Sequence, residues 1–141
     1  MQVFILVPSQ SISGVPILQF NGDAGTTSYA YNITNNTLLL GIVTLGGKTD
    51  IAGSANGIFL AQSNTTGPVT SELVIGNGPS QAHVMMLSGA AGVTDASAPP
   101  SIITGSGVWS NTSRITSLQL LSSGGGNLGA GTGLLVLGIN A

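Results

Sequence analysis

The chain has no cysteine and very few charged side chains. Six of its 141 residues carry a formal charge, 4% of the total, where soluble domains carry about 25%. The lack of cysteine excludes disulfide bonds and thiol chemistry. Its two basic residues, Lys48 and Arg114, cannot follow a phosphate backbone, so nucleic acid is not expected as a partner. The net charge of −2 provides little repulsion between copies, which favours a subunit of an assembly.

Long hydrophobic runs are also missing. No run approaches the roughly 20 apolar residues of a membrane-spanning helix, so no membrane partner is expected. The opening residues 1–8 lack the basic residues and the cleavage site of a signal peptide, and we interpret them as a first strand.

The residues that normally cover exposed helices, Glu, Lys, Arg and Gln, are scarce, whereas glycine is abundant at 22 residues. Turn signals recur about every 10 to 15 residues between short apolar or alternating segments. This pattern predicts one all-β domain over residues 1–141. We expect an antiparallel β-sandwich, jelly-roll-like, of eight to ten short strands.

The last third of the chain contains its clearest strand signals. Residues 115–121 alternate aliphatic with polar side chains, which is typical of a half-buried strand. Residues 134–139 are almost entirely apolar, and we expect them to form a strand at the centre of a sheet. A glycine-rich segment joins the two, which predicts a hairpin. Trp109 is the largest apolar side chain available and is expected in the core.

The remaining strands are predicted from shorter patterns. Tyr29, Tyr31 and Ile33 share one face of a strand over 28–34. Residues 82–87 could form a short helix, but neighbouring glycines favour a strand. Loops are expected over 48–56 and 89–100, and Asn21-Gly22 is a strong turn signal. The other predicted strands are 3–7, 16–20, 38–45, 57–62, 73–75, 101–104 and 108–109.

Motifs that could carry chemistry are weak. Gly124, Gly126 and Gly129 match a dinucleotide-binding spacing, but a strand follows them where a helix is required. His83 is the single histidine, and no pair of acids is spaced as a local catalytic or metal-binding unit, so a strand or interface histidine is the default interpretation. Loop aspartates could bind calcium, but no cluster of EF-hand spacing occurs. We expect no enzyme activity, no metal and no cofactor.

Three segments together resemble a known group of proteins. They are Leu18 to Gly25 with the following Ser28-Tyr29-Ala30-Tyr31, then Gly105 to Trp109 leading to 115–120, and the ending Gly131 to Ile139. These segments are similar to those of small β-sandwich virion proteins of tailed bacteriophages. The resemblance implies a jelly-roll decoration (cement) subunit that sits on the outer surface of the capsid as a trimer and clamps the major capsid protein.

The interface of such a subunit would be formed by apolar side chains, hydroxyl groups and strand edges, because uncharged surfaces cost little to desolvate. The residues that we expect in the interface are Phe4, Met85, Met86 and Pro99, with the loop from Ala90 to Pro100.

Two other functions remain open. A tail-fibre or receptor-binding module that recognises cell-surface carbohydrate would need exposed aromatic rings, and Tyr29 and Tyr31 are the clustered candidates. A hydrolytic enzyme would need a buried acid bonded to His83 in a cleft. The copy number in the virion separates a cement protein, present in hundreds of copies, from a fibre.

Overall fold

A computed structural model describes residues 1–11, 14–36, 38–39, 42–43, 48–60, 68–78, 82–91, 101–123 and 125–138. These residues form strands, turns and irregular segments, with no helix among them. Residues 92–100 of the predicted loop, with Pro99, lie outside the described residues, as does Ile139 at the end of the predicted last strand. The loop prediction is wrong for residues 89–91, which belong to a strand.

The described residues form twelve strands, nine of five or more residues and three of two residues. In chain order they are β1 Gln2–Val7, β2 Pro16–Phe20, β3 Tyr29–Asn36, β4 Leu38–Leu39, β5 Ile42–Val43, β6 Lys48–Ala55, β7 Ile58–Phe59, β8 Val69–Ile75, β9 His83–Ala91, β10 Ser101–Trp109, β11 Leu118–Ser122 and β12 Gly133–Leu137.

The strands build an antiparallel β-sandwich with two main sheets of unequal size. The larger sheet has seven strands in the order β12-β1-β8-β9-β10-β3-β6, and the smaller has three in the order β11-β2-β7; β4 and β5 pair separately. Every strand pairing is antiparallel. The predicted all-β sandwich is confirmed, and the jelly-roll connectivity stays a prediction.

Period-2 alternation decides which side chains of the large sheet face the core. In β1, Val3, Ile5 and Val7 are buried, whereas Phe4 and Leu6 are exposed on the opposite face. The same alternation holds along β8 and across the described residues of β9. Successive side chains of a strand point to opposite faces, so one sheet face lies against the small sheet and the other faces solvent.

The central strand of the small sheet is fully enclosed. All five residues of β2 are buried, and the strand is central between β11 and β7. Leu18 and Phe20 pack in the core with residues of the large sheet. Gln19 is buried as well, where its amide donates a 2.6 Å hydrogen bond to the carbonyl of Asn56. This bond satisfies a polar group that would otherwise be costly to bury.

The prediction for the end of the chain is wrong in two respects. β11 and β12 do not form a hairpin, because β11 pairs with β2 in the small sheet and β12 pairs with β1 in the large sheet. β12 also lies at an edge, not at a centre. An apolar run is typical of a strand that is buried on both faces, but it does not specify the position of the strand in its sheet.

The loop predicted over 48–56 is also wrong, since β6 occupies most of it and pairs with β3. Its small and polar residues resemble a loop, yet an edge strand needs only backbone hydrogen bonds on one side. The strand predicted over 82–87 is confirmed within β9, which pairs with both β8 and β10. The alternative short helix does not form.

Candidate interaction surface

A buried aromatic cluster closes one end of the sandwich around Trp109, which is confirmed in the core. Its ring lies 5.5 Å from that of Phe20, 6.5 Å from that of Tyr29 and 5.2 Å from the His83 imidazole, measured between centroids. Tyr29 also accepts a hydrogen bond from the Phe20 amide. The cluster therefore joins strands of both sheets.

The cluster holds the turn that follows β2. The Trp109 indole donates a 2.9 Å hydrogen bond to Oδ2 of Asp23, and Oδ1 accepts one of 2.8 Å from the Gly25 amide. The bond from Trp109, followed by that from Gly25, lowers the pKa of Asp23 below its ordinary value. Asn21 and Gly22 both have positive φ, of 53° and 69°, as their turn signal predicts.

His83 is a structural link between segments. Its Nδ1 lies 2.9 Å from the Gly76 carbonyl oxygen and its Nε2 lies 2.8 Å from the Ser113 carbonyl oxygen. A carbonyl oxygen only accepts hydrogen bonds. The neutral His83 ring has one N–H and can donate to one of the two carbonyls, whereas the imidazolium has two and can donate to both. Among the described residues, no carboxylate is bonded to either nitrogen, and no group of three or more acids, histidines or cysteines is suited to a metal ion.

The outer face of the large sheet exposes large apolar side chains. We call this surface the apolar face. Its members come from five neighbouring strands, β12, β1, β8, β9 and β10: Leu135, Leu137, Phe4, Leu6, Val74, Val84, Met86 and Ile102. Exposed polar residues such as Thr70, Ser88 and Thr104 lie among them on the same face, so the apolar side chains form clusters and not one continuous surface. Exposed apolar clusters of this kind point to contact with another molecule.

The apolar face carries very little charge. Across the five strands that build it, Glu72 is the single residue with a formal charge. Its Oε1 accepts a 2.5 Å hydrogen bond from the Gln2 amide on the neighbouring strand. A partner that covers this face would therefore desolvate few charged groups, which keeps the cost of burial low.

Strand β12 is exposed on both of its faces. Leu135 and Leu137 belong to the apolar face, while Val136 points to the side of the small sheet and is still about half exposed. A groove of about 300 Å³ lies along Phe4, Leu6 and Leu135. A second, of about 280 Å³, lies on the other side of β12 beside Met1, Ile115 and Val136. On its core side β12 is therefore only partly covered, since Leu134 packs against the core whereas Val136 stays about half exposed.

The structure separates the four residues expected in an interface. Phe4 is 36% exposed and Met86 is 68% exposed, both on the apolar face, whereas Met85 is 1% exposed and belongs to the core. Met85 and Met86 are consecutive in β9, so they must point to opposite faces. Met85 is therefore removed from the expected interface, and Pro99 lies outside the described residues.

Sequence reasoning missed most of the apolar face. Four of its members alternate with buried residues along their strands: Leu6, Val74, Val84 and Ile102. Their exposure follows once the buried face of each strand is known. Which face is buried depends on the order of the strands in the sheet, and the sequence does not show that order. Tyr29 and Tyr31 are buried, so neither ring is presented for stacking on a sugar.

Comparisons of the chain with protein-family models, with curated proteins and with solved structures gave no match. Within the described residues, no helix is long and apolar enough to cross a membrane.

Proposed function

We propose that this chain is a structural protein of a tailed-phage virion, a capsid decoration (cement) subunit. It binds the outer surface of the shell and stabilises contacts between major capsid proteins. It acts by contact alone, with no catalytic residue and no cofactor, and its partners are the major capsid protein and further copies of itself.

The observation that carries this proposal is the apolar face. A sheet surface with eight large exposed apolar side chains and one charged residue suits a permanent contact with another protein. Obligate interfaces are more hydrophobic than transient ones, which agrees with the large apolar side chains that this face exposes. The scarcity of charge in the whole chain fits the same role.

The virion assignment, the trimer and the jelly-roll connectivity rest on the resemblance of the three sequence segments to phage β-sandwich proteins. In a decoration trimer, the apolar face would be buried against the shell or between subunits. Phe4 and Met86 would be part of that contact.

The copy number of the chain in purified virions tests the assignment. We expect many copies, in fixed ratio to the major capsid protein and located on the shell. A few copies at the tail would overturn the cement role in favour of a receptor-binding module. Absence from virions would overturn the virion assignment itself.

A binding assay with shells that lack the protein tests the surface. The change Met86→Glu places a charge on the apolar face and should abolish most binding, because the charge would have to be desolvated. Thr112→Glu places the same charge in the exposed segment that follows β10 and serves as the control. Equal binding by both variants would show that the apolar face does not contact the shell.

A further inference from the structure

The two edges of the seven-stranded sheet differ in charge. The edge strand β6 contains Lys48 and Asp50, whereas the edge strand β12 contains no charged residue and no proline. Charged residues and proline are the usual devices that prevent an edge strand from pairing with another chain. β6 has such protection, and β12 lacks it.

The hydrogen bonds between β1 and β8 determine which backbone groups of β12 point outward. The Ile75 amide donates a 2.8 Å hydrogen bond to the Met1 carbonyl, and the terminal ammonium of Met1 donates one of 2.9 Å to the Ile75 carbonyl, so Met1 and Ile75 are a bonded pair. Antiparallel partners alternate between bonded and non-bonded pairs. Odd residues of β1 therefore bond to β8, and Gln2, Phe4 and Leu6 bond to β12.

The register between β1 and β12 carries this alternation one strand further. Gln2, Phe4 and Leu6 are opposite Leu137, Leu135 and Gly133. Those three residues of β12 bond inward to β1, so the N–H and C=O groups of Leu134 and Val136 point outward. No strand of the described residues pairs with that side of β12. The edge thus offers two donors and two acceptors.

We propose that β12 pairs with β12 of a second copy of this chain, antiparallel across a two-fold axis at Leu135. In this register Leu134 is opposite the second copy's Val136, and Val136 is opposite its Leu134. All four outward groups of each edge then form hydrogen bonds. Leu135 is opposite Leu135 of the second copy, as a pair without hydrogen bonds between the two residues. The two large sheets then become one continuous sheet of fourteen strands.

Neighbouring registers are less favourable. A shift toward the start of the strand would use Thr132, whose N–H already donates to the Gly129 carbonyl. A shift toward the end would leave Gly133 unpaired and require Gly138, which lies beyond the strand. The register centred on Leu135 keeps all five strand residues paired.

The second copy is the occupant that the chemistry of β12 favours. The partner strand must have a free edge, apolar side chains on both faces and no charge that would repel its neighbour, and β12 has each of these properties. Isologous two-fold contacts are also the commonest kind in homo-oligomers. Leu135 would bury its side chain against its mate, and Val136 would be covered by Leu134 of the second copy.

This pairing does not depend on the virion assignment. It would hold for the purified chain in solution, whatever its biological role. In a trimeric decoration protein the pairing would join subunits of separate trimers, because a two-fold contact links chains two at a time.

Single-cysteine variants test the register directly, since the natural chain has no cysteine. Leu135→Cys places two thiols opposite each other in a non-bonded pair, where Cα atoms are about 4.5 Å apart and a disulfide can form. Ile102→Cys is the control, with a similar exposure on the same face, 58% against 57%. We expect Leu135→Cys to be converted almost completely into disulfide-linked dimers. Almost no disulfide-linked dimer is expected from Ile102→Cys. Equal or absent cross-linking would overturn the proposal.

The mass of the particle in solution is the second test. Leu135→Lys places two lysines together on the axis and should halve the mass measured by light scattering, whereas Ile102→Lys should leave it unchanged. Both positions are exposed in the single chain, so neither change should unfold it, and circular dichroism checks this. A wild-type protein with the same mass as Leu135→Lys would overturn the proposal. This outcome is separate from the virion copy number.

Discussion

The indole of Trp109 donates a hydrogen bond to the carboxylate of Asp23, which lies 86 positions earlier in the chain. The bond connects the end of β10 to the turn after β2, and so connects the two sheets. It also gives a buried indole N–H the partner that it requires. Four predictions concern this cluster and the strands around it.

We expect Asp23→Ala to destabilise the fold by about 1 to 2 kcal/mol, since it removes the acceptors of both Trp109 and Gly25. Asp23→Asn keeps one oxygen acceptor and should cost less. Urea unfolding followed by the fluorescence of the single tryptophan measures both. An unchanged midpoint for the alanine variant would show that the bond contributes nothing to stability.

Acid should weaken the fold through the same carboxylate. The bonds from Trp109 and Gly25 hold the pKa of Asp23 below its unfolded value of about 3.8. A group with a lowered folded pKa contributes stability above the unfolded pKa and loses it as the pH falls through the folded pKa. We expect the free energy of unfolding to decrease below about pH 4 and to decrease less in Asp23→Asn. The same decrease with pH in the wild type and in Asp23→Asn would show that the Asp23 carboxylate does not cause the loss of stability.

His83→Phe should destabilise the fold by about 1 to 2 kcal/mol. The change keeps a ring against Trp109, but it removes the hydrogen bonding of the buried imidazole to the carbonyls of Gly76 and Ser113, two residues that are themselves exposed. Val84→Thr, at the next residue but on the exposed face, is the control and should change stability by less than about 0.5 kcal/mol. Thermal unfolding by calorimetry compares them. A similar Tm for the two variants would indicate that stacking alone accounts for the role of His83.

Two adjacent methionines should respond very differently to truncation. Met85→Ala leaves a cavity in the core and should cost about 2 to 5 kcal/mol, whereas Met86→Ala removes an exposed side chain and should cost less than about 0.5 kcal/mol in the isolated chain. Urea unfolding measures the difference. In an assay of binding to a partner, Met86→Ala should have the larger effect of the two, because only Met86 lies on the apolar face. Equal stability losses would mean that β9 is rotated relative to the sheet.

Part of the fold was predictable from local patterns. The scarcity of helix-forming charged residues and the many glycines predicted an all-β chain, which is confirmed. The alternation of Tyr29, Tyr31 and Ile33 predicted one buried face, and all three are buried. Trp109 was expected in the core and is there. Phe4 and Met86 were expected at a surface contact, and both are exposed on the apolar face.

Other features could not be read from local patterns. β2 and β12 are both apolar, yet β2 is central and β12 is an edge strand. Alternation alone cannot say whether Met85 or Met86 faces inward, since a shift of one residue exchanges the two faces. The prediction of a loop at β6 was wrong because β6 pairs with β3 through backbone hydrogen bonds. Every sequence has these backbone groups, so the side chains of β6 do not reveal the pairing.

The sequence by itself determined that the chain forms strands, where several of them turn, and that its surface carries almost no charge. These are properties of neighbouring residues, set by backbone preferences and by the side-chain period of two. The tertiary structure alone decided which strands pair, which face is covered and which edge is left open. Those outcomes depend on contacts between residues far apart in the chain, where the same backbone hydrogen bonds can join any two strands and only the packing of side chains selects among them.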